Sequence, residues 1–241
     1  MQQYVERTYR NKITRGHLTS FQITVKETDL YISADKDLSD EALASVFDCR
    51  KYIEDYIRHR PAFLTSLEPI EDDDFAPFII REMLRASWVT GVGPMASVAG
   101  TIAQYVGNDL LRYSKNVIVE NGGDIFMSLD SGDTNVVIFA GESLLSYKIS
   151  LKFSSDDTPI GICTSSGTVG HSISFGRADA VCVTSKSASV ADAAATSIGN
   201  YIRGGEDIKE TLAVASKIEG VLGTLIILND KLGAWGAIEL G

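Results

Sequence analysis

The sequence contains little cysteine and no long apolar run. Its three cysteines, Cys49, Cys163 and Cys182, are far apart and odd in number, so neither a disulfide framework nor a zinc knuckle is indicated. A reducing, cytoplasmic setting is the simplest interpretation of that usage. No apolar stretch reaches the roughly 18 residues that a membrane-spanning helix needs, and the first residues are polar and charged, unlike a signal peptide. We therefore expect a soluble cytoplasmic protein with no membrane partner.

Positive charge is also scarce. The 22 Lys and Arg residues are outnumbered by 32 Asp and Glu residues, and the formal net charge is −10. Electrostatic repulsion would oppose binding to nucleic acid or to an anionic membrane surface. The composition therefore argues against both as partners.

Nothing in the sequence divides the chain. With 241 residues and 44% hydrophobic content, it can bury the core of one large domain or two small ones. No linker and no internal repeat is visible, and strand patterns are mixed with helical ones. We predict one α+β domain over residues 1–241, with a mixed or antiparallel sheet covered by helices. A homodimer is expected only at the base rate of symmetric soluble oligomers.

Local patterns predict the elements of this domain. Residues 21–25 and 30–32 alternate apolar with polar side chains around a turn, which predicts a hairpin. Ser39 is placed to cap a helix that Pro61 stops, with an apolar face carrying Leu43, Phe47, Ile53 and Ile57. Further helices are predicted over 78–88, 95–106 and 208–218, and further strands over 117–119, 125–129, 136–140, 147–153, 160–163, 224–228 and 234–240.

The segment 91–107 contains two glycines followed by a helix of small residues. Gly91 and Gly93 precede the helix, and its surface is kept thin by Ala96, Ala99, Gly100 and Ala103. Such a helix can approach a sheet or a ligand closely, and its first backbone N–H groups are free to bind an anion. Close helix packing alone explains the same pattern, so both interpretations stay open.

The phrase Asn121-Gly122-Gly123-Asp124 follows a short apolar strand and precedes an alternating one. An Asn-Gly pair between two strands is a strong hairpin signal. A purely structural turn is therefore a sufficient interpretation of these residues by themselves.

A loop rich in hydroxyl groups and glycine follows the strand at 160–163. It runs from Thr164 to Gly170 and is followed by His171, one of only three histidines. Backbone N–H groups and hydroxyls can hold phosphate without a strong local charge, but Ser/Gly loops are also common turns. No Gly-Lys-Ser/Thr follows, so it is not a P-loop, and no GxSxG elbow supports a catalytic triad. His171 could donate to a phosphate, act as a base or be a structural residue.

Asp192 and Thr196 are four residues apart in a segment of strong helix formers. Their carboxylate and hydroxyl would face the same way, one helical turn apart. Oxygen donors of this kind suit Mg²⁺, which takes few protein ligands and completes its shell with water and phosphates. The alternative is that Asp192 lies in the first turn of its helix and caps it. Spacing alone does not separate these two interpretations.

Five motifs occur in the order found in the ApbE family of flavin transferases, and the chain resembles that family over about residues 89–204. Residues 119–125 look like the family's NxGGD turn, and 164–167 are similar to its TSG segment. His171 falls where the histidine of its HxIDPxTG motif would. Residues 190–196 resemble its ADALAT helix, and 91–107 stand where it has its DLGGIAKGY helix. The phrasing is most similar to that of the UPF0280 group.

The resemblance implies an ApbE-like fold and a flavin-related function. ApbE proteins bind FAD and Mg²⁺ and transfer FMN from FAD to a Ser or Thr hydroxyl of an acceptor protein, and some only hold or hydrolyse the flavin. By resemblance, Asp192 and Thr196 are the Mg²⁺ ligands, with a backbone carbonyl near Ala96 as a third.

The resemblance also assigns the cofactor-binding residues. It places the flavin near the turn formed by Asn121, Gly122, Gly123 and Asp124. The dinucleotide would be held in the region of Ser166, Gly167 and His171. The catalytic candidates are His171 and Asp192.

The chain departs from the family pattern in three places. Residues 93–97 contain no basic residue where the family has the lysine of GIAKGY, residues 172–177 replace the IDPxTG continuation, and only residues 168–170 separate the TSG-like segment from the histidine. These departures favour a second hypothesis, in which a non-catalytic or accessory protein keeps the fold and binds a flavin or another phosphate-bearing cofactor.

Overall fold

The computed structural model describes residues 18–167 and 176–241. Within them the chain forms ten β-strands and six α-helices, which confirms the predicted α+β class. The strands are β1 (Thr19–Val25), β2 (Thr28–Ala34), β3 (Val117–Asn121), β4 (Asp124–Ser128), β5 (Asp133–Val137), β6 (Ser150–Ser154), β7 (Ile160–Ser165), β8 (Ala180–Ser185), β9 (Val221–Leu228) and β10 (Lys231–Gly236). The helices are α1 (Ser39–His59), α2 (Ala62–Thr65), α3 (Phe78–Thr90), α4 (Val98–Leu110), α5 (Ala188–Gly199) and α6 (Ile208–Ala215).

Eight strands form one sheet in the order β1-β2-β3-β4-β7-β8-β9-β10. Each described pair of neighbours is antiparallel, as predicted. Tight turns join β1 to β2, β3 to β4 and β9 to β10, so much of the sheet comes from pairing between strands that are adjacent in the sequence. β5 and β6 pair with each other in a separate two-stranded sheet.

The two faces of the large sheet carry two hydrophobic cores. Val117 and Val119 belong to the core under the helices, whereas Ile118 belongs to the core on the opposite face. This division follows from the two-residue period of a strand. Val136 and Leu151 of the small sheet pack into the second core, so the β5–β6 hairpin covers the face that the helices leave open.

Helix α5 is the most enclosed helix around the site. It packs on β7 and β8 and contacts α3 and α4. All of its residues are buried except Val190 and Asp192. Small side chains predominate in α5 because a helix surrounded in this way has little room for large ones.

Helix α1 is amphipathic as predicted, and Ile53 and Ile57 face the core as predicted, but the first half of the predicted apolar face is wrong by about one residue. Leu43 and Phe47 are 37% and 54% exposed, whereas Ala42 and Val46 are buried. The smaller side of the helix faces inward because α1 packs closely on α4, where the Ser45 hydroxyl donates to Asp109 Oδ2 over 2.7 Å. Within residues 18–167 and 176–241, no helix has the length and apolarity needed to cross a bilayer.

Other predicted boundaries also differ from the structure, and the strands expected at 136–140 and 147–153 lie at Asp133–Val137 and Ser150–Ser154. The helix expected over 95–106 starts later, because Pro94–Ser97 form a separate 3-10 turn before α4. The last strand ends earlier than the expected 234–240, since Gly236 adopts a positive φ of 82°. The 3-10 turn begins at Pro94, and β10 ends at Gly236. The backbone preferences of these two residues interrupt an otherwise apolar pattern.

Candidate functional site

The candidate site lies where the start of α4 meets the middle of α5. Gly100 in α4 faces α5 so closely that a Cβ atom there would overlap the Ala188 carbonyl oxygen and lie 2.8 Å from the Asp192 Cβ atom. The Gly100 backbone N–H donates to Asp192 Oδ2 over 2.8 Å. The lack of a side chain at residue 100 therefore lets the Asp192 carboxylate reach the N-terminus of α4.

The anion that binds the N-terminus of α4 is therefore the carboxylate of Asp192, a residue of the same protein. The first N–H groups of a helix have no partners within it, and those of Ala99 and Gly100 bind the Asp192 carboxylate. α5 begins four residues before Asp192, and its first turn is capped by Ser187, whose hydroxyl accepts from the Val190 N–H at 3.3 Å. The alternative that Asp192 caps its own helix is therefore wrong, because it caps α4.

The turn between β3 and β4 lies beside the same helix end. Gly122 and Gly123 form this turn with φ angles of 69° and 111°, which residues with a Cβ rarely adopt. The predicted hairpin is confirmed, with Asn121 as the last residue of β3. The Asn121 Nδ2 donates to the Ala99 carbonyl oxygen over 3.1 Å, and the Gly123 N–H donates to Glu120 Oε1 over 2.7 Å. The first bond holds the glycine turn against α4, and the second stabilises the turn itself.

Asp124 opens β4 and is buried in the wall of the site. Its Oδ1 accepts from the Thr164 N–H at 3.3 Å, and the Cys163 thiol donates to the same carboxylate. The Cys163 Sγ also lies 3.4 Å from the Ala188 carbonyl oxygen. The thiol therefore fills the space between β4, β7 and α5.

Asp124 and Asp192 form a carboxylate pair without a counter-ion. Within residues 18–167 and 176–241, no Lys or Arg side chain forms an ion pair with either of them. Burial raises the pKa of Asp192 to about 7, although the N–H groups of Gly100 and Ala99 oppose the rise. Burial also raises the pKa of Asp124 well above its ordinary value, and the charge of Asp192 adds to that rise. Such a pair favours uptake of a proton or a cation.

Two of the three residues predicted to bind a metal, Asp192 and Thr196, lie on α5. Thr196 is one turn after Asp192, as predicted, and is 8% exposed. Ala96, in the 3-10 turn before α4, packs against the small apolar cluster to which Ala193 of α5 belongs. In the described parts of the chain, no three His, Cys, Asp or Glu side chains are grouped as a metal site. A cation held here would therefore also need hydroxyl, carbonyl, water or ligand oxygens.

The Ser/Gly loop leaves the sheet at the end of β7. Ser166 is partly exposed, and the Gly167 N–H donates to the Ala178 carbonyl oxygen over 3.0 Å. A Cβ atom at Gly167 would overlap the Gly176 carbonyl oxygen, so the two ends of the loop meet closely at its base. His171, predicted as a catalytic and dinucleotide-binding residue, lies outside the described residues.

Sequence reasoning missed two features of the site. It assigned Asp124 to the flavin turn but not to a pair with Asp192, and it gave Cys163 no role. The two-residue period of β7 could have placed Cys163 on the helix-facing side of the sheet. No sequence signal indicated that a carboxylate from a neighbouring strand would accept a hydrogen bond from its thiol.

Comparison with known proteins places the chain in a family. The family described as AbpE bacteria matches residues 10–231 of the chain. The chain is 42% identical to the UPF0280 protein of Methanococcus aeolicus over 223 residues, which cover 90% of each chain. It is 40% identical to the UPF0280 protein of Methanocaldococcus jannaschii over 223 residues, again 90% of each chain.

Solved structures show the same fold at low sequence identity. The chain is similar to the apo form of the Pseudomonas stutzeri flavinyl transferase ApbE, with a TM-score of 0.58 and 11% identity over 90% of this chain and 93% of that one. It is also similar to the flavin transferase ApbE from Vibrio cholerae, with a TM-score of 0.52 and 15% identity over 91% and 97% of the two chains. At such identities the structural likeness shows the fold alone.

Proposed function

The chain belongs to the AbpE family, and from that premise we propose that it binds a flavin or another phosphate-bearing cofactor together with Mg²⁺. The proposed reaction is transfer of FMN from FAD to a hydroxyl group of an acceptor protein, or cleavage of the FAD diphosphate. The observation that carries the proposal is the Asp124–Asp192 pair, which has no counter-ion among the described residues. A divalent cation would balance the negative charge of such a pair.

The donors around this pair fit Mg²⁺. This ion prefers oxygen ligands, keeps several waters and is usually bound by one or two carboxylates together with substrate phosphates. Asp192 supplies a carboxylate, Thr196 a hydroxyl one turn later, and the 3-10 turn that contains Ala96 supplies backbone carbonyls. When bound, Mg²⁺ would neutralise the phosphate oxygens and make the diphosphate easier to cleave.

The chain's own residues would orient the cofactor. The Gly122–Gly123 turn has no side chains, so a ring or a phosphate can approach its backbone closely. Ser166 lies at the base of the neighbouring loop, where a hydroxyl and backbone N–H groups can bind phosphate. The Gly167 N–H already binds the Ala178 carbonyl oxygen, so Gly167 would shape the loop base. His171 is proposed as the base that takes the proton of the attacking hydroxyl.

A non-catalytic cofactor-binding protein is the second candidate. Residues 93–97 contain no basic side chain, whereas the ApbE family has a lysine there. Positive side chains commonly stabilise the charge that develops on a leaving phosphate. A site without one can still bind a nucleotide through Mg²⁺, with little or no turnover.

We expect FAD and Mg²⁺ together to raise the midpoint of thermal unfolding, measured by scanning calorimetry. At about 100 times the dissociation constant, ligand binding stabilises a protein by about 2.7 kcal/mol, which is roughly 5–10 °C for a chain of this size. Removing the metal with EDTA should reverse the rise. Chromatography should detect FMN and AMP, and mass spectrometry should detect FMN on an added Ser- or Thr-containing acceptor.

The outcomes of this experiment separate the two candidates. Binding of FAD that is recovered unmodified would favour the non-catalytic protein. Cleavage or transfer would favour the enzyme. If FAD and Mg²⁺ change neither stability nor each other's binding, both candidates are wrong.

A further inference from the structure

Ser165 carries a buried hydroxyl that makes no hydrogen bond. It is the last residue of β7 and is 4% exposed, and its Oγ has no partner among the described residues. A buried polar group without a partner costs free energy, so most such groups are paired. The Oγ atom has no water-accessible surface in this structure, so an acceptor can reach it only when a neighbouring group moves aside.

The position of Ser165 connects this hydroxyl to the candidate site. Cys163 and Ser165 lie two residues apart on the same strand, so their side chains share a face. Their cross-strand partners, Val183 and Val181, belong to the core under the helices, which identifies that face. The Cys163 thiol contacts the Asp124 carboxylate. Ser165 therefore follows the carboxylate pair along the inner wall, directly before the Ser/Gly loop.

Thr224 provides an internal comparison. Its Oγ1 is also buried without a hydrogen bond in the described structure, and it lies opposite Val183, on the same face of the sheet. Thr224 is on β9, two strands away from β7 and away from the loop. An unpaired hydroxyl can therefore be structural in this fold, and among residues 18–167 and 176–241 only Ser165 combines an unpaired hydroxyl with a position at the site.

We propose that Ser165 is a positioning residue whose hydroxyl donates a hydrogen bond to a phosphate oxygen of the bound nucleotide. This inference rests on the proposed function, because it requires a phosphate-bearing ligand at the Asp124–Asp192 pair. A hydroxyl suits this position because it can donate to phosphate without adding charge to the site. A hydrogen bond to a charged acceptor is among the stronger ones in proteins.

The test compares Ser165→Ala with Thr224→Val by isothermal titration with FAD in the presence of Mg²⁺. We expect Ser165→Ala to weaken FAD binding by about 10-fold or more, since hydrogen bonds to charged groups contribute that much. Thr224→Val should bind like wild type. Both variants should unfold, without ligand, at the wild-type temperature or above it, because each removes an unpaired hydroxyl. Ser165→Thr keeps the hydroxyl and should restore most of the affinity.

Riboflavin, which has no phosphate, tests the contact itself. Ser165→Ala should bind riboflavin as wild type does, and a loss equal to that for FAD would overturn the phosphate contact. Wild-type affinity of Ser165→Ala for FAD, or equal losses in Ser165→Ala and Thr224→Val, would also overturn the inference. If wild-type protein binds no FAD with Mg²⁺, the proposed function is wrong and the role of Ser165 is wrong with it.

Discussion

Replacing Asp192 with asparagine should remove the response to Mg²⁺ and leave the metal-free protein at least as stable as wild type at neutral pH. Asparagine keeps an oxygen that can accept from the Gly100 N–H, which now donates to Asp192 Oδ2 over 2.8 Å. Asparagine lacks the negative charge that attracts a cation. We expect Mg²⁺ affinity in the presence of FAD, measured by calorimetric titration, to fall by about 100-fold or more, because even residues that only support a metal ligand contribute about 10- to 100-fold.

The stability of the same variant should show a different pH dependence. Burial raises the pKa of Asp192 from 3.8 to about 7, so between these values the folded state binds a proton that the unfolded state has released. For wild-type protein without metal, the contribution of this group is fully present below about pH 4 and is lost as the pH rises through 7. In Asp192→Asn this loss should disappear, and the pKa of Asp124 should fall because the charge of Asp192 helps to raise it. Urea unfolding in EDTA at about pH 5 and about pH 8 measures the difference.

Asp207→Asn is the matched control. Asp207 Oδ2 also accepts from backbone N–H groups, those of Arg203 and Gly204, each at 2.8 Å. These bonds lower the pKa of Asp207, which is the opposite of the shift at Asp192. Asp207→Asn should keep the Mg²⁺ response and should be no more stable than wild type at neutral pH. An equal loss of the response in both variants would contradict the assignment of Asp192 to the metal.

The β3–β4 hairpin and the spacing of the α5 residues could be predicted because their information is local. The glycine turn and its flanking strands are adjacent in the sequence, and turn residues specify hairpins. A helix places residues four apart on one side, so the relation of Asp192 to Thr196 followed from helix propensity alone. The structure confirms both elements.

The Asp124–Asp192 pair could not be predicted because it depends on which strands are neighbours. β5 and β6 follow β4 in the sequence, yet they form a separate sheet, and β7 pairs with β4 instead. The pairing of β7 with β4 places Cys163 beside Asp124 and places β7 beneath α5, where Asp192 lies. Sequence patterns predict strands well, but they do not specify pairing between strands that are far apart in the chain.

Gly100 connects the two alternatives that the sequence left open. From sequence, the small residues of α4 indicated either close helix packing or N–H groups free to bind an anion. The structure shows the close packing on Ala188, and this packing brings the Asp192 carboxylate to the Gly100 N–H, which is therefore not free. A glycine inside a helix costs about 1 kcal/mol relative to alanine, and here the contact with Asp192 accounts for it.

Replacing Gly161 with alanine should destabilise the protein by about 3 kcal/mol or more, or prevent folding. Gly161 lies in β7 beneath the start of α5, where an added Cβ atom would overlap the Ala188 Cα atom and lie 2.7 Å from its backbone nitrogen. No rotamer change relieves a clash with backbone atoms, so α5 would have to move, and Asp192 and Thr196 would move with it. Urea unfolding measures the lost stability, and the Mg²⁺ response of any folded fraction should be weaker.

Second-site changes distinguish a backbone clash from a side-chain clash. Ala188→Gly removes only a Cβ atom that would lie 2.8 Å from the new one, so combining it with Gly161→Ala should recover little stability. At Gly107 the obstacle to an added Cβ is the Phe126 ring, and Phe126→Leu should recover part of the cost of Gly107→Ala. If Ala188→Gly rescued Gly161→Ala fully, the close approach of the two backbones would not be the reason for glycine at residue 161, and β7 would not be what positions α5 and its carboxylate.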